Sequence, residues 1–193
     1  MRTKALTIAL TLALATTAFV GCAKKAEPAP APQKPAVQAP AADKKVEAVT
    51  TPSIVDNADA FVKAIGKDGR WIIATLKDLK IDKDLVLEGE FKNGKKNADG
   101  TEQIQRKIAL YTQDDNKKVT NRFTLTAPKL TIKSPNARIQ SGTFKGDVYV
   151  ETKDFQLVDA TVDGNVYFAS EEAKAGFKMD STSKVTGKQE VKK

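Results

Sequence analysis

The sequence predicts an all-β protein built as a β-helix, a solenoid of short strands stacked in register behind a short N-terminal capping helix; an antiparallel β-sandwich is the alternative. Three observations carry this expectation. β-branched and aromatic residues alternate with polar ones, as in Leu85-Val86-Leu87, Ile108-Ala109-Leu110-Tyr111 and Val148-Tyr149-Val150, which is the period of a strand with one face in a core. Turn-forming residues separate the runs, and Asn93 to Gly100 and Asp114-Asp115-Asn116 are expected as exposed turns. The third observation is that the apolar pattern repeats along the chain.

In chain order, the folded part opens with a helix signal. Asp56 or Asn57 is placed to cap Ala58 to Ile65, Phe61 and Ile65 share a face at i and i+4, and Gly66 ends the helix. Such a helix is expected to cover an open end of the core. Between Trp71 and Lys118 the repetition is less clear, and irregular first rungs or a small antiparallel cap are expected there.

Beyond that point the self-similarity is strong. Phe123, Leu125, Leu130, Ile132 and Ala137 match Val148, Val150, Phe155, Leu157 and Val162 at a spacing of 25 residues. A third set, Val166, Phe168, Phe177, Met179 and Val185, follows at shifts of 18, 22 and 23, with an insertion around Ser170 to Ala175. No copy can bury its apolar face alone, so the copies are expected to stack. Gly146, Gly164 and Gly187 are expected at corners that a β-carbon resists. Asp147 and Asn165 occupy equivalent rung positions and are expected to form a corner ladder bonded to backbone. Tyr149 and Tyr167 fall out of phase with the core set and are expected to stack on an outer face.

The step Val162-Asp163-Gly164-Asn165-Val166 resembles those of the bactofilins, polymer-forming cytoskeletal proteins. The resemblance covers roughly Phe123 to Val191 and implies the β-helix fold. That family polymerises end to end in the cytoplasm. Here the helix at one end, and the polar tail Lys188-Gln189-Glu190-Val191-Lys192-Lys193 at the other, oppose such growth.

The N-terminus addresses the compartment. Arg2 and Lys4 precede an apolar stretch, Ala5 to Val20, that is too short and too rich in Ala and Thr for a spanning helix and reads as a signal peptide. It ends in Ala18-Phe19-Val20-Gly21-Cys22, which resembles the lipobox of bacterial lipoproteins, with Phe19 where that family favours Leu. The resemblance implies a diacylglyceryl thioether on Cys22 and cleavage between Gly21 and Cys22. An ordinary secretory signal with a chance cysteine is the alternative. Acyl chains contribute about 0.8 kcal/mol per buried methylene, so two or three hold a protein stably on a bilayer. The expected domains are a signal peptide at 1–21, a lipidated Cys22 with an Ala/Pro-rich tether through 52, and a β-rich domain at 53–193. The tether favours extended polyproline II and could reach roughly 90 Å.

Composition narrows the chemistry. Of 32 basic side chains, Arg2 and Lys4 leave with the signal, so 30 face 24 acidic ones, a formal +6. This balance favours anionic partners: the lipid bilayer reached through Cys22, and anionic envelope polymers or envelope proteins. Nucleic acid is not expected, because export removes the chain from it and acids interleave the lysines. The chain holds no histidine and one cysteine, so no disulfide forms within it, and Ser/His/Asp triads, Cys/His sites and typical zinc sites are excluded. Neither a metal nor a cofactor is expected. The paired acids Asp82 with Asp84, Asp114 with Asp115, and Glu171 with Glu172 read as solvated turns rather than a glycosidase pair.

Trp71, Tyr149 and Tyr167 are the candidate ligand-facing residues, although Trp71 sits in Arg70-Trp71-Ile72-Ile73, where packing competes with ligand stacking. The functional expectation is a non-catalytic extracytoplasmic lipoprotein of the cell or outer membrane, acting as a structural or interaction module of the envelope. A glycan or solute receptor is the alternative, followed by a carbohydrate-active enzyme.

Overall fold

The computed structural model describes residues 53–192. The signal peptide, Gly21, Cys22 and the tether therefore lie outside the described residues. Strand β1 (Ser53–Val55) leads into helix α1 (Ala58–Ile65). The Asn57 side chain, not that of Asp56, caps it by accepting the Ala60 N–H at 2.9 Å. Phe61, Ala64 and Ile65 are buried, and the chain leaves the helix at Gly66. The cap, the apolar face and the stop are all local, which is why the sequence predicts them.

The next strands are β2 (Ile72–Thr75), β3 (Leu79–Lys80), β4 (Leu85–Leu87), β5 (Lys92–Lys96), β6 (Glu102–Ile104), β7 (Arg106–Ala109), β8 (Tyr111–Gln113) and β9 (Val119–Arg122). Then come β10 (Thr124–Ile132), β11 (Ala137–Gln140), β12 (Thr143–Val150), β13 (Gln156–Val158), β14 (Thr161–Asp163) and β15 (Val166–Phe168). Helix α2 (Glu171–Ala175) occupies the predicted insertion, and β16 (Lys178–Met179), β17 (Lys184–Val185) and β18 (Gln189–Val191) follow.

The fold is all-β with two large parallel sheets. The first runs β1-β2-β7-β11-β13-β16. In the second, the first half of β10 pairs with β3 and its second half with β4; β12 likewise pairs with β14 and β15, which pair with β17 and β18. Among the described residues, antiparallel pairing, on which a β-sandwich would rest, is confined to the hairpins β5-β6 and β8-β9. The region from Trp71 to Lys118 thus supplies strands to both sheets and carries one hairpin whole and the first strand of the other.

Inward side chains line up from strand to strand. Ile73, Ile108, Ile139 and Leu157 form one such column, and Leu87, Ile132, Val150 and Phe168 another. All of these are buried in one core with Phe61 and Ile65. Helix α1 packs against β1 and β4, which are edge strands of the two sheets.

The register corrects the 25-residue spacing. Leu130 faces Val148, Ile139 faces Leu157, and Phe144 faces Val162, each partner 18 positions on. Each copy carries three similar apolar pairs, so sliding the comparison by one pair gives a second convincing match; backbone pairing selects the shorter one. The shifts of 18, 22 and 23 into the last copy do correspond to pairings, at Val148 with Val166, Leu157 with Met179, and Val162 with Val185. Two further expectations change. Asn93 lies within β5 and is buried, so the exposed turn is narrower than Asn93 to Gly100. Met179 is 41% exposed because its strand is the sheet edge and nothing packs beyond it.

Corners follow the same ladder. Gly146 has φ of +141°, and a β-carbon there would lie 1.9 Å from the Ala127 carbonyl oxygen. The Asp147 carboxylate accepts the Asn165 backbone and side-chain N–H groups at 2.9 Å each, and the Asn165 side-chain Oδ1 accepts the Lys188 N–H at 2.9 Å. This is the corner ladder expected of Asp147 and Asn165. At another corner the Asp180 carboxylate accepts from Ser183 Oγ at 2.7 Å and from the Asp159 N–H at 2.9 Å. These bonds, that of Ser183 first, hold its carboxyl down to about 2.

A depressed folded-state value means that Asp180 contributes stability above the ordinary aspartate value of about 3.9. That contribution is lost as pH falls through about 2. The Asp159 amide proton shift should therefore titrate with a midpoint of about 2. A midpoint of about 4 would show that the carboxylate does not hold this corner in solution.

Candidate functional site

Two outward surfaces collect aromatic and cationic side chains. On the second sheet, Thr131, Tyr149, Tyr167 and Glu190 form one outward column through β10, β12, β15 and β18. The tyrosine rings lie 4.9 Å apart at 45°, in contact on the outer face but tilted rather than stacked face to face. Lys129 Nζ sits 5.6 Å from the Tyr149 ring centre and Lys192 Nζ 4.5 Å from that of Tyr167. A depression of about 230 Å³ lined by Tyr149, Val150, Glu151, Ala169 and Lys192 adjoins the pair. Lys129 already has a counter-charge: its hydrogen bond to Asp84 at 2.7 Å raises its pKa.

Trp71 is not part of that surface. It precedes β2 on the first sheet, where the outward column reads Ile72, Lys107, Arg138, Gln156 and Lys178. Its carbonyl accepts the Lys107 N–H at 2.7 Å. The Lys107 ammonium lies 5.7 Å from the Trp71 ring centre and 5.9 Å from that of Tyr111. Half-burial lowers the Lys107 pKa, and the positive charges of Arg138 and Lys95 push it the same way. Burial raises the Tyr111 hydroxyl, with Arg138 opposing. Arg138 donates from Nε and Nη2 to Gln156 Oε1 at 3.1 and 2.6 Å, a neutral acceptor.

Among the described residues, no ion pair involves Lys95, Lys107 or Arg138. The Trp71 indole N–H is buried without an acceptor. The arrangement thus presents unneutralised cations beside two aromatic rings, a surface suited to an anion with an apolar face. Sequence reasoning found Trp71 but missed Lys107, Tyr111 and Arg138. Nothing in their local sequence marks them, since the topology brings them together from strands 31 residues apart at Lys107 and Arg138.

The acid pairs sit in local roles. Asp82 pairs with Lys80 at 3.3 Å, Asp84 with Lys129, and Asp114 accepts the Lys118 N–H at 2.8 Å. Glu171 and Glu172 occupy the first turn of α2, where carboxylates oppose the helix dipole favourably. Among the described residues no group of three or more acids is placed to hold a metal ion, and no helix is long and apolar enough to cross a membrane.

Sequence reasoning also missed the most buried charge. Arg106 is fully buried, and its guanidinium donates to the carbonyls of Ala64, Ile65, Glu88 and Arg70. Its only signal in the sequence is its strand phase, shared with the inward Ile108. Comparison with protein-family models, with curated proteins and with solved structures finds no match for the chain.

Proposed function

We propose that the chain is a lipid-anchored, non-catalytic module of the cell envelope, whose folded part is a β-helix held on the extracytoplasmic side by Cys22 and the tether. One observation carries the reading: the same order of strands recurs through two parallel sheets, at offsets of 18 to 19 residues from β10 to β15 and of 22 to 23 into the last copy, with one shared core. Successive copies stacked in this way form the rungs of a β-helix. Their outward side chains then fall into columns at about 4.8 Å, a regular surface suited to a repeating polymer. The lipobox-like ending at Cys22 supplies the anchor and the basic balance favours an anionic partner. The bactofilin-like step spans β14, a glycine corner and β15, which supports the fold; α1 against the edge strands argues for a module that ends rather than polymerises.

A glycan receptor is the second reading, favoured by the Tyr149–Tyr167 pair and its adjoining depression.

Two measurements test the proposal. Metabolic labelling with a fatty-acid analogue should mark the wild-type chain and leave Cys22→Ala unlabelled, because Cys22 is the only thiol; equal labelling would remove the lipid anchor. The detergent-solubilised protein should co-sediment with insoluble envelope glycan, and its remaining in the supernatant would remove the interaction module.

A further inference from the structure

We propose that Lys107 and Arg138, flanked by Trp71 and Tyr111, bind the carboxylate-bearing sugars of an acidic polysaccharide, an assignment that rests on the envelope-polymer reading. Lys107 and Arg138 are direct partners in the β7-β11 ladder, so their side chains leave the sheet side by side at about 5 Å. Gln156 orients the Arg138 fork without neutralising it. Lys95 adds a third positive charge felt by Lys107.

A half-buried cation whose charged neighbours are all positive has only the two rings to offset its burial until an anion arrives. A carboxylate entering between the two would relieve the repulsion and accept charge-assisted hydrogen bonds from the ammonium and the guanidinium. The rings define what else the ligand carries. Trp71 and Tyr111 both lie within 6 Å of the Lys107 ammonium, so a ligand whose charge reaches Lys107 meets aromatic carbon around it, as the apolar face of a sugar ring requires.

A bilayer surface fits less well. Binding to anionic headgroups uses clusters of solvated lysines, whereas Lys107 is half-buried between rings. The tyrosine surface of the second sheet is the weaker candidate for an acidic ligand, since Asp84 already neutralises Lys129.

The test uses detergent-solubilised full-length protein, with polygalacturonate as the acidic polysaccharide, dextran as the neutral one and polyphosphate as a polyanion without sugar rings. Polygalacturonate should bind more tightly than polyphosphate of equal charge, and dextran should not bind. Lys107→Gln and Arg138→Gln should each weaken polygalacturonate binding about tenfold or more, the effect of one lost charge-assisted hydrogen bond. Arg138→Lys should keep most of the affinity, and Lys145→Gln, a charge change at an exposed position of the second sheet, all of it. An unchanged unfolding midpoint for Arg138→Gln excludes a folding defect as the cause. Undiminished binding in both glutamine variants, or equal binding of polyphosphate, would overturn the site. If those variants also co-sediment with envelope glycan as the wild type does, the module reading survives while this site does not. A wild type that fails to co-sediment overturns the module reading instead.

Discussion

Replacing Arg106 by methionine is expected to destabilise the folded part by about 3–5 kcal/mol, as urea unfolding would measure. The side chain occupies an inward position, in register with Ala137 of the next strand, and is fully buried. Ala64 and Ile65 end α1, so their carbonyls have no partner within the helix. A cation at that end is also favoured by the helix dipole. The guanidinium serves both carbonyls, spans to Arg70 and Glu88, and lies 4.1 Å over the Phe91 ring.

Ile65 keeps the Glu88 N–H at 3.1 Å, so the carbonyls of Ala64, Arg70 and Glu88 are the acceptors left orphaned, each at about 1–3 kcal/mol, and the returned desolvation of the guanidinium offsets part of the sum. Burial lowers the Arg106 pKa to about 10, against the attraction of Glu88, so the group stays charged at neutral pH. Lysine keeps the charge but lacks the fork, and Arg106→Lys should fall between methionine and wild type. A loss under about 1 kcal/mol for methionine would mean that water already satisfies these carbonyls.

Phe155→Ala is expected to cost about 3–5 kcal/mol. The ring is fully buried and stacks on Phe177 at 5.5 Å and 13°, and Phe177 in turn lies 5.3 Å from Phe168. The β11-β13 register, which pairs Arg138 with Gln156, brings Phe155 level with Ala137 when it is continued by one residue, not with Leu130 and Ile132 as the 25-residue spacing predicts. The small Ala137 on one side leaves room for the ring, so its removal opens a cavity between Ala137 and Phe177. Phe155→Leu should cost less than about 1.5 kcal/mol. If the alanine variant unfolds within about 1 kcal/mol of wild type, the core has collapsed into the space.

The two substitutions probe different kinds of legibility. Phe155 is recognisable as core from its apolar pattern, although its neighbours are not. Arg106 is chemically polar, and only the arrival of carbonyls from α1, from the segment before β2 and from the segment after β4 makes its inward position favourable. A similar distinction holds at the corners. Glycine 146 is readable because no other residue fits. Asn136 and Ser141, at φ of 52° and 56°, stand beside Asp154 and Asp159, at 60° and 53°. Such residue types tolerate left-handed backbone, but polar residues in exposed turns are too common to single these four out.

What the sequence by itself determined is everything that depends on a few neighbouring residues: the Asn57 cap and Gly66 stop of α1, the alternation of the strands, the glycine corners, the site of the α2 insertion and the outward phase of Tyr149 and Tyr167. What only the tertiary structure decided is which strand lies beside which. Three near-identical apolar pairs in each copy make neighbouring registers almost equivalent in side-chain pattern, and the hairpins β5-β6 and β8-β9 interrupt the count between copies. Backbone hydrogen bonds between strands far apart in the chain break that degeneracy. The same long-range pairing sets Lys107 beside Arg138 and gathers four carbonyls around Arg106, because sites assembled across strands exist only once the register is chosen.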